Sequence, residues 1–177
     1  MRIISGTLKG ILIEAPKGLP VRPTTDRAKE SLFNILENKL HIEQLEVLDL
    51  FSGTGNIGYE FISRGAAKVT AVDNHFKCVS FIKSMKLKHR MEQLEVIKKD
   101  AFQFIKSSQN KYDLIFADAP YAHPQLIQIP ELVYQHQLLK PGGLLIVEHE
   151  SLLSFKQHQG FTEERIYGQS TFSFFNF

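Results

Sequence analysis

The sequence predicts a doubly wound α/β fold built on a mostly parallel, seven-stranded sheet. Three observations lead to this prediction. From residue 46 onward, short apolar runs alternate with longer amphipathic stretches, a glycine-rich segment follows the first apolar run, and the chain ends in two strand-like runs. Such alternation is expected when parallel strands are joined by crossover helices, and strands covered on both faces are nearly all apolar.

Five apolar runs are the candidates for parallel strands, and helices are predicted between them. The clearest helix runs from about Asn74 to His89, because apolar side chains recur there at helical spacing along one face. Those side chains are Cys78, Phe81, Ile82 and Met85. The predicted strands are Val47 to Phe51, Lys68 to Asp73, Leu94 to Lys98, Tyr112 to Asp118 and Leu144 to Glu148.

The end of the chain is predicted to form an antiparallel hairpin. Its strands run from Glu163 to Tyr167 and from Thr171 to Phe177, around a turn at residues 168–170. Within the second strand Phe172 and Phe174 alternate with polar neighbours, which is typical of core residues. We therefore expect these two rings to be buried rather than available for stacking on a ligand.

A small appendage precedes the first parallel strand, so residues 1–40 are separated from the α/β domain of residues 41–177. Its front half is punctuated by glycine and proline, and a helix is predicted from about Thr25. The apolar face of that helix consists of Ala28, Leu32, Ile35 and Leu36.

Composition limits the kinds of protein that this chain can be. With 177 residues, 43% of them hydrophobic, it is long enough for one good core but short for two ordinary domains. Cys78 is the only cysteine, which excludes an intrachain disulfide and a multi-cysteine metal site. No stretch approaches the ~18 apolar residues of a membrane span, and the N-terminus lacks the apolar region of a signal peptide. We expect a soluble, cytoplasmic, monomeric protein without a metal.

Positive charge is concentrated near the N-terminus. Residues 1–40 hold seven Lys or Arg against four acidic residues, whereas the remainder holds fourteen against fifteen. A basic segment of this kind is either a solvated arm or a contact for phosphates, and charge alone does not separate the two interpretations.

The glycine-rich segment, Asp49-Leu-Phe-Ser-Gly53-Thr-Gly55-Asn-Ile-Gly58, lies where the first strand is expected to end. Glycines there allow a tight turn and a close approach of the backbone to a ligand. The glycine spacing also fits a dinucleotide fingerprint, with Asp73 at the position of a ribose-binding acid. Asp49 argues against a dinucleotide, because a carboxylate would repel a pyrophosphate but can bind the cationic amino-acid end of S-adenosylmethionine.

Two further carboxylates end predicted strands on the same edge of the sheet. Asp73 is expected to accept both ribose hydroxyls, although a charge at the start of the next helix is an alternative role. Asp100 is expected to accept a hydrogen bond from the adenine amine, with Phe102 in contact with the ring. A helix cap is the competing interpretation for Asp100.

The fourth strand ends in Phe116-Ala-Asp118-Ala119-Pro120-Tyr121. Pro120 favours an extended conformation at Ala119, so that the carbonyls of Asp118 and Ala119 can point out over the sheet edge. Acceptors of this kind match the two N–H donors of an amine on a flat base, and Tyr121 is placed to stack on that base. An ordinary turn remains the alternative for this tetrapeptide in isolation.

These segments resemble the class I methyltransferases that modify exocyclic amines, whose fourth-strand signature is Asn or Asp, Pro, Pro, Tyr or Phe. Three further motifs resemble the RsmD family of 16S ribosomal RNA guanine-N2 methyltransferases: Met1-Arg-Ile-Ile-Ser-Gly-x-x-Lys-Gly10, Arg22-Pro-Thr-Thr-Asp-Arg-x-x-Glu30 and Ser63-Arg-Gly-Ala66. The resemblance covers almost the whole chain. One departure is Ala119, which stands where the family has its first proline.

The resemblance implies S-adenosylmethionine as the cofactor and ribosomal RNA, or a small ribosomal subunit particle, as the partner. The predicted cofactor-binding residues are Asp49, Phe51, Ser52, Gly53, Thr54, Gly55, Asp73, Asn74, Asp100, Ala101 and Phe102. The predicted catalytic residues are Asp118, Ala119, Pro120 and Tyr121. The predicted substrate-binding residues are Arg2, Lys9, Lys17, Arg22, Thr24 and Arg27.

Other functions share much of this pattern. A DNA adenine-N6 or a protein glutamine-N5 methyltransferase would have the same fold, cofactor and fourth-strand motif, although the chain offers no obvious DNA-recognition domain. A non-catalytic RNA-binding relative is the third alternative, and Ala119 is the one feature in its favour. Cys78 is rejected as a nucleophile because it lies on the buried face of its helix, where thiolate formation is suppressed.

Overall fold

The computed structural model describes residues 1–19, 21 and 24–177, and within them seven strands form a single sheet. The order of the strands is β3-β2-β1-β4-β5-β7-β6. The strands are β1 Glu46–Leu50, β2 Lys68–Asp73, β3 Leu94–Lys98, β4 Tyr112–Ala117, β5 Leu139–Glu150, β6 Phe161–Tyr167 and β7 Ser170–Asn176. The first five strands pair in parallel, and β7 is antiparallel to both β5 and β6. The predicted doubly wound sheet with a terminal hairpin is confirmed.

Helices cover both faces of this sheet. They are α1 Asp26–Lys39, α2 Asn56–Ser63, α3 Phe76–Lys88, α4 Ala101–Ser107 and α5 Ile129–Gln135. The helix predicted from about Thr25 is confirmed as α1. It begins there because the Thr25 hydroxyl caps its first turn by accepting a hydrogen bond from the Ala28 N–H at 3.2 Å. Helix α3 begins at Phe76, two residues later than predicted, and buries Cys78, Phe81 and Ile82.

The fifth strand is longer than predicted. It begins at Leu139 rather than Leu144 and includes Pro141, Gly142 and Gly143, a sequence that is typical of a turn. The pairing of β4 with β5 shifts register between Tyr112 and Leu114, and Gly142 adopts a left-handed φ of 77°. This irregularity accommodates the glycines and the proline within the strand.

Strands β1 and β4 each end one residue earlier than predicted, and both ends belong to the candidate site. Phe51 has a positive φ of 59°, so the chain turns sharply away from β1 after Leu50. Strand β4 ends at Ala117, which leaves Asp118 in the loop that follows.

The sheet separates two apolar layers, and the N-terminal segment belongs to one of them. Ile3, Ile13, Leu32 and Phe33 are buried in the same cluster as Phe61 of α2. Phe172 and Phe174 are also buried in that cluster, as predicted. Phe175, on the opposite face of β7, is buried in the other layer because helices cover both sides of the sheet. Residues 1–40 therefore share the core of the α/β domain, and their separate role in substrate binding stays a prediction.

Neither a membrane-spanning helix nor a metal-binding cluster is found among the described residues. Within the ranges described, none of the helices is both long and apolar enough to cross a bilayer. The same residues contain no cluster of three or more His, Cys, Asp or Glu side chains with the arrangement of a metal site.

Candidate active site

A cavity of about 840 Å³ lies at the carboxyl ends of the parallel strands, which is where ligands bind in open α/β sheets. Its walls come from the segment before α1, the glycine-rich loop after β1, the loop after β4 and the turn between β6 and β7. Most of the predicted site residues line it together: Thr24, Arg27, Asp49, Phe51, Ser52, Gly53, Thr54, Asp73, Asn74, Asp100, Asp118, Ala119, Pro120 and Tyr121.

Some predicted site residues lie elsewhere. Among the residues that the structure describes, Arg2, Lys9, Lys17, Gly55, Ala101 and Phe102 do not line the cavity. The three basic residues are exposed on the N-terminal segment. Arg22 lies outside the described residues. Phe102 is buried and stacks on the His123 ring with 4.7 Å between ring centroids. His123 and Phe51 therefore present the aromatic surface that was predicted for Phe102.

The glycine-rich loop has the tight geometry that its sequence predicts. Gly53 and Gly55 have positive φ angles of 55° and 78°. A Cβ atom at Gly55 would lie 2.6 Å from the Cζ of Tyr59, so a larger residue cannot be accommodated there. The loop is also tethered to the next strand, because the Gly53 N–H donates to the Oδ2 of Asp73 at 2.8 Å.

Asp49 is a buried carboxylate at the floor of this loop. Its side chain is 2% exposed, and its Oδ2 has no hydrogen-bond partner among the described residues. Burial raises the pKa of Asp49 to about 7, the nearby backbone N–H of Gly58 opposes that shift, and the negative charge of Asp73 adds to it. A buried acceptor that lacks a partner is unfavourable unless a ligand or water completes it.

Asp73 and Asp100 both serve the backbone in addition to facing the cavity. The two Asp73 oxygens accept hydrogen bonds from the N–H groups of Gly53 and His75, each at 2.8 Å. Asp100 caps α4 through a hydrogen bond from the Gln103 N–H at 2.9 Å, which is the competing interpretation from the sequence. Each carboxylate oxygen can accept a second hydrogen bond, so neither arrangement excludes contact with a ligand.

The loop after β4 places Asp118 beside the glycine-rich loop, because β4 pairs with β1 and the Asp118 N–H donates to the Leu50 carbonyl at 3.4 Å. Asp118 is half-buried, and Ala119 is fully buried. Burial raises the pKa of Asp118 well above its usual range, and the charges of Glu148 and Asp49 raise it further. The Tyr121 hydroxyl lies 3.2 Å from the Ser170 hydroxyl, so this loop contacts the β6–β7 turn.

The sequence analysis did not identify Glu148 as a site residue. Ala117 pairs with Val147, so Glu148 of β5 lies beside Asp118, the first residue of the loop after β4, and the charge of Glu148 acts on Asp118. Glu148 is 3% exposed and lines the cavity. An acidic residue at the end of an apolar strand is its only sequence signal, and that signal does not reveal which strand lies beside it.

Two other groups were also missed. Asn56 lines the cavity at the first turn of α2, and its place inside the glycine-rich segment is a signal that was available. The β6–β7 turn contributes residues 166–170 to the opposite rim. Only the strand order explains that contribution, because β7 inserts between β5 and β6 and thereby brings the turn toward the cavity.

The N-terminal segment forms one wall of the cavity, and polar contacts hold it there. The Thr24 hydroxyl donates to Glu148 Oε2 at 3.2 Å, and the Asn56 side-chain amide donates to the Thr24 carbonyl at 3.2 Å. Val21 lies close to the glycine-rich loop, since a Cβ atom on Gly53 would be 3.3 Å from its Cγ1. We call Val21, Thr24, Thr25 and Arg27 the N-terminal wall.

Comparison with known proteins identifies the family of this chain. A family model described as "Conserved hypothetical protein 95" matches residues 1–176. The ribosomal RNA small subunit methyltransferase D of Haemophilus influenzae is 37% identical over 154 residues, which cover 85% of this chain and 79% of that protein. This chain belongs to the RsmD family.

Two further relatives of this RsmD-family chain match it over nearly its full length. YlbH of Bacillus subtilis, provisionally named an rRNA methyltransferase, is 32% identical over 175 residues, covering 95% of this chain and 94% of its own length. The structure of yhhF from Escherichia coli, described as a methyltransferase, superposes with a TM-score of 0.86 at 26% identity, covering 99% of this chain and 96% of that chain. Membership of the RsmD family favours a methyltransferase over the nicotinamide enzyme that the glycine spacing alone permits.

Proposed function

We propose that this RsmD-family protein transfers a methyl group from S-adenosylmethionine to the N2 amine of a guanine in small-subunit ribosomal RNA. One observation carries the proposal: the glycine-rich loop with the buried Asp49 and the acceptor-rich loop at Asp118 open into the same cavity. The first loop suits a cationic cofactor and the second suits an amine. The names of the relatives supply the class of RNA.

The residues of the cavity fit this cofactor. The Oδ2 of Asp49 has no partner in the described part of the chain, and the cationic amino-acid end of S-adenosylmethionine supplies both a donor and a positive charge. Asp73 has acceptor capacity left for the ribose hydroxyls, and Asp100 has it for the adenine amine. Phe51 and His123 offer aromatic surface to the base. When bound, S-adenosylmethionine would supply the activated methyl group, whose bond to sulfur breaks, and would leave as S-adenosylhomocysteine.

The loop after β4 performs the remaining task, which is to hold the amine. The Asp118 side chain and the Ala119 carbonyl accept the two N–H groups, so that the nitrogen lone pair is free to point toward the cofactor side of the cavity. As the new N–C bond forms, the nitrogen becomes positive and must lose a proton, and an acceptor at Asp118 stabilises that change. Orientation of the two reactants makes the larger contribution, up to ~7 to 11 kcal/mol.

The target RNA must present an unpaired base to this cavity. Unstacking a nucleotide from a duplex costs a few kcal/mol, which favours a loop as the target. Arg27 lies at the cavity, and Arg2, Lys9 and Lys17 are exposed on the same N-terminal segment. These residues suit phosphate contacts, which supply affinity and orientation but no base specificity.

A comparison of possible methyl acceptors distinguishes this function from its alternatives. The protein is incubated with radiolabelled S-adenosylmethionine and, in separate reactions, with small ribosomal particles, ribosomal RNA, DNA and protein. Label in RNA or particles supports the proposal. Label in DNA or protein supports an adenine-N6 or glutamine-N5 methyltransferase instead. Binding of RNA without transfer to any acceptor supports the non-catalytic relative.

A further inference from the structure

A buried polar network connects the N-terminal segment to the first turn of α2. At its centre is Lys29, which is fully buried on α1. Its ammonium group donates to the Arg2 carbonyl at 2.7 Å and to Asn56 Oδ1 at 2.8 Å, and it forms an ion pair with Glu60 Oε2 at 3.1 Å. All three ammonium protons thus have an acceptor.

Glu60 joins the same network from α2 and is also fully buried. Its Oε2 accepts a hydrogen bond from the Ile4 N–H at 2.9 Å. Its Oε1 accepts hydrogen bonds from the Ser5 N–H and from the Arg64 side chain, each at 3.0 Å. The carboxylate therefore attaches the beginning of the chain to the helix that follows the glycine-rich loop.

Asn56 extends this network to the cavity. Lysine can only donate, so the Asn56 oxygen must face Lys29 and the Asn56 amide must face the Thr24 carbonyl. Thr24 is in turn attached to β5, because its hydroxyl donates to Glu148 beside Asp118. The N-terminal wall is thereby connected to the first turn of α2 and to the end of β5.

We propose that Asn56 is a positioning residue, which, with Lys29 as its buried anchor, holds Thr24 and the N-terminal wall over the bound cofactor. The inference rests on the proposed function, since it assigns this wall to an S-adenosylmethionine site. The network ends at the cavity and not within the core. Both Asn56 and Thr24 line that cavity.

Asn56→Ala and Thr24→Val each remove one attachment of the wall. Lys29 keeps Glu60 and the Arg2 carbonyl in the first variant, so the core should survive. We expect S-adenosylmethionine to dissociate about 3- to 10-fold faster from each variant, which corresponds to the removal of one hydrogen bond. Thr24→Ser keeps the hydroxyl and should restore the wild-type rate. Asn38→Ala, which removes an exposed amide from the other end of α1, is the matched control.

The experiment combines stopped-flow release of S-adenosylmethionine with hydrogen exchange and urea unfolding. Faster release, faster exchange confined to the amides of the N-terminal wall, and an unfolding midpoint like that of Asn38→Ala would support the positioning role. Wild-type release together with wild-type exchange in Asn56→Ala and Thr24→Val would overturn it. If the wild-type protein bound no S-adenosylmethionine, the proposed function would fail. Hydrogen exchange would still test the positioning role in that case, because unchanged exchange in the variants would show that Asn56 and Thr24 do not hold the N-terminal wall in place.

Discussion

Asp49 is the residue at which burial has the clearest chemical consequence. Its pKa of about 7 leaves a large fraction of the carboxyl groups protonated near neutral pH. A cationic ligand interacts favourably only with the ionised form, so ligand binding and deprotonation are coupled. The cofactor pocket is therefore predicted to respond to pH in a range where an ordinary aspartate is fully ionised.

This coupling predicts that affinity for S-adenosylmethionine rises with pH through about 7 and levels off roughly one pH unit higher. One pH unit below the pKa, only about a tenth of the Asp49 carboxylates are ionised, so binding should be roughly tenfold weaker there. Calorimetric titration from about one and a half pH units below this pKa to about one and a half above it measures the effect. Asp49→Asn should bind weakly with a flat profile, whereas Asp118→Asn should keep the wild-type profile. A flat wild-type profile would show that Asp49 does not contact the cationic group.

Asp118 is predicted to act on the amine rather than on the cofactor. Asp118→Ala removes acceptors that matter mainly in the transition state, so turnover should fall by roughly 100-fold or more while cofactor affinity is nearly unchanged. Single-turnover methylation at saturating cofactor measures the chemical step. Full activity in Asp118→Ala would contradict the assigned role.

The raised pKa of Asp118 adds a pH dependence to the same step. The ionised carboxylate is the better acceptor, so turnover should increase with pH as Asp118 loses its proton. Asp118→Asn keeps an acceptor oxygen that does not titrate. We expect that variant to retain part of the activity and to lose this component of the pH profile. An identical profile in wild type and Asp118→Asn would assign the titration to another group.

For the secondary-structure elements, the sequence predicted where the strands are better than it predicted which strands lie side by side in the sheet. Five apolar runs and a terminal hairpin are enough to specify the sheet, since burial on both faces leaves a continuous apolar signal. The contribution of Glu148 to the site depends on the pairing of β4 with β5, and that of the β6–β7 turn depends on the insertion of β7. Such contacts join residues far apart in sequence, so no local pattern records them.

The burial of Phe102 and the ends of β1 and β5 differ from the predictions for local reasons. Phe102 follows Asp100, which caps α4, and the helix turns the ring onto His123 instead of into the cavity. Phe51 leaves β1 through a left-handed conformation that residues other than glycine seldom adopt. Local sequence preference favoured a strand at Phe51 and a turn at Gly142. In the structure Phe51 lies beyond the end of β1 and Gly142 lies within β5, because tertiary contacts override the local preference.

The exposed basic residues of the N-terminal segment are predicted to contribute to the salt dependence of RNA binding. Replacing Arg2, Lys9 and Lys17 with Ala should weaken RNA binding and reduce its salt slope by about 0.7 to 0.9 for each phosphate that is no longer neutralised. Because none of the three lines the cavity, cofactor affinity should stay at the wild-type value. Filter binding of RNA across a range of salt concentrations provides the slope. An unchanged slope would mean that the segment is merely solvated.

For the whole molecule, the buried ion pair of Lys29 and Glu60 ties the N-terminal segment into the fold. Lys29→Met removes one partner and leaves the Glu60 charge buried, which should lower the free energy of unfolding by about 3 to 5 kcal/mol. Urea denaturation measures this change. Lys39→Met on the same helix is the control, because its ion pair with Glu163 is exposed and should contribute about 1 kcal/mol or less. Equal effects in the two variants would contradict the stabilising role of the buried pair.

The proposed methyl transfer to the N2 amine of a guanine in small-subunit ribosomal RNA is tested by identifying the modified nucleoside. The RNA is treated with wild-type protein and S-adenosylmethionine, digested to nucleosides and analysed by chromatography and mass spectrometry, with Asp118→Ala as the matched control. We predict N2-methylguanosine as the product of the wild-type reaction and a large reduction in that product with the variant. A methylated adenosine, a methyl group elsewhere on guanine, or no modified nucleoside from the wild-type reaction would contradict the claim.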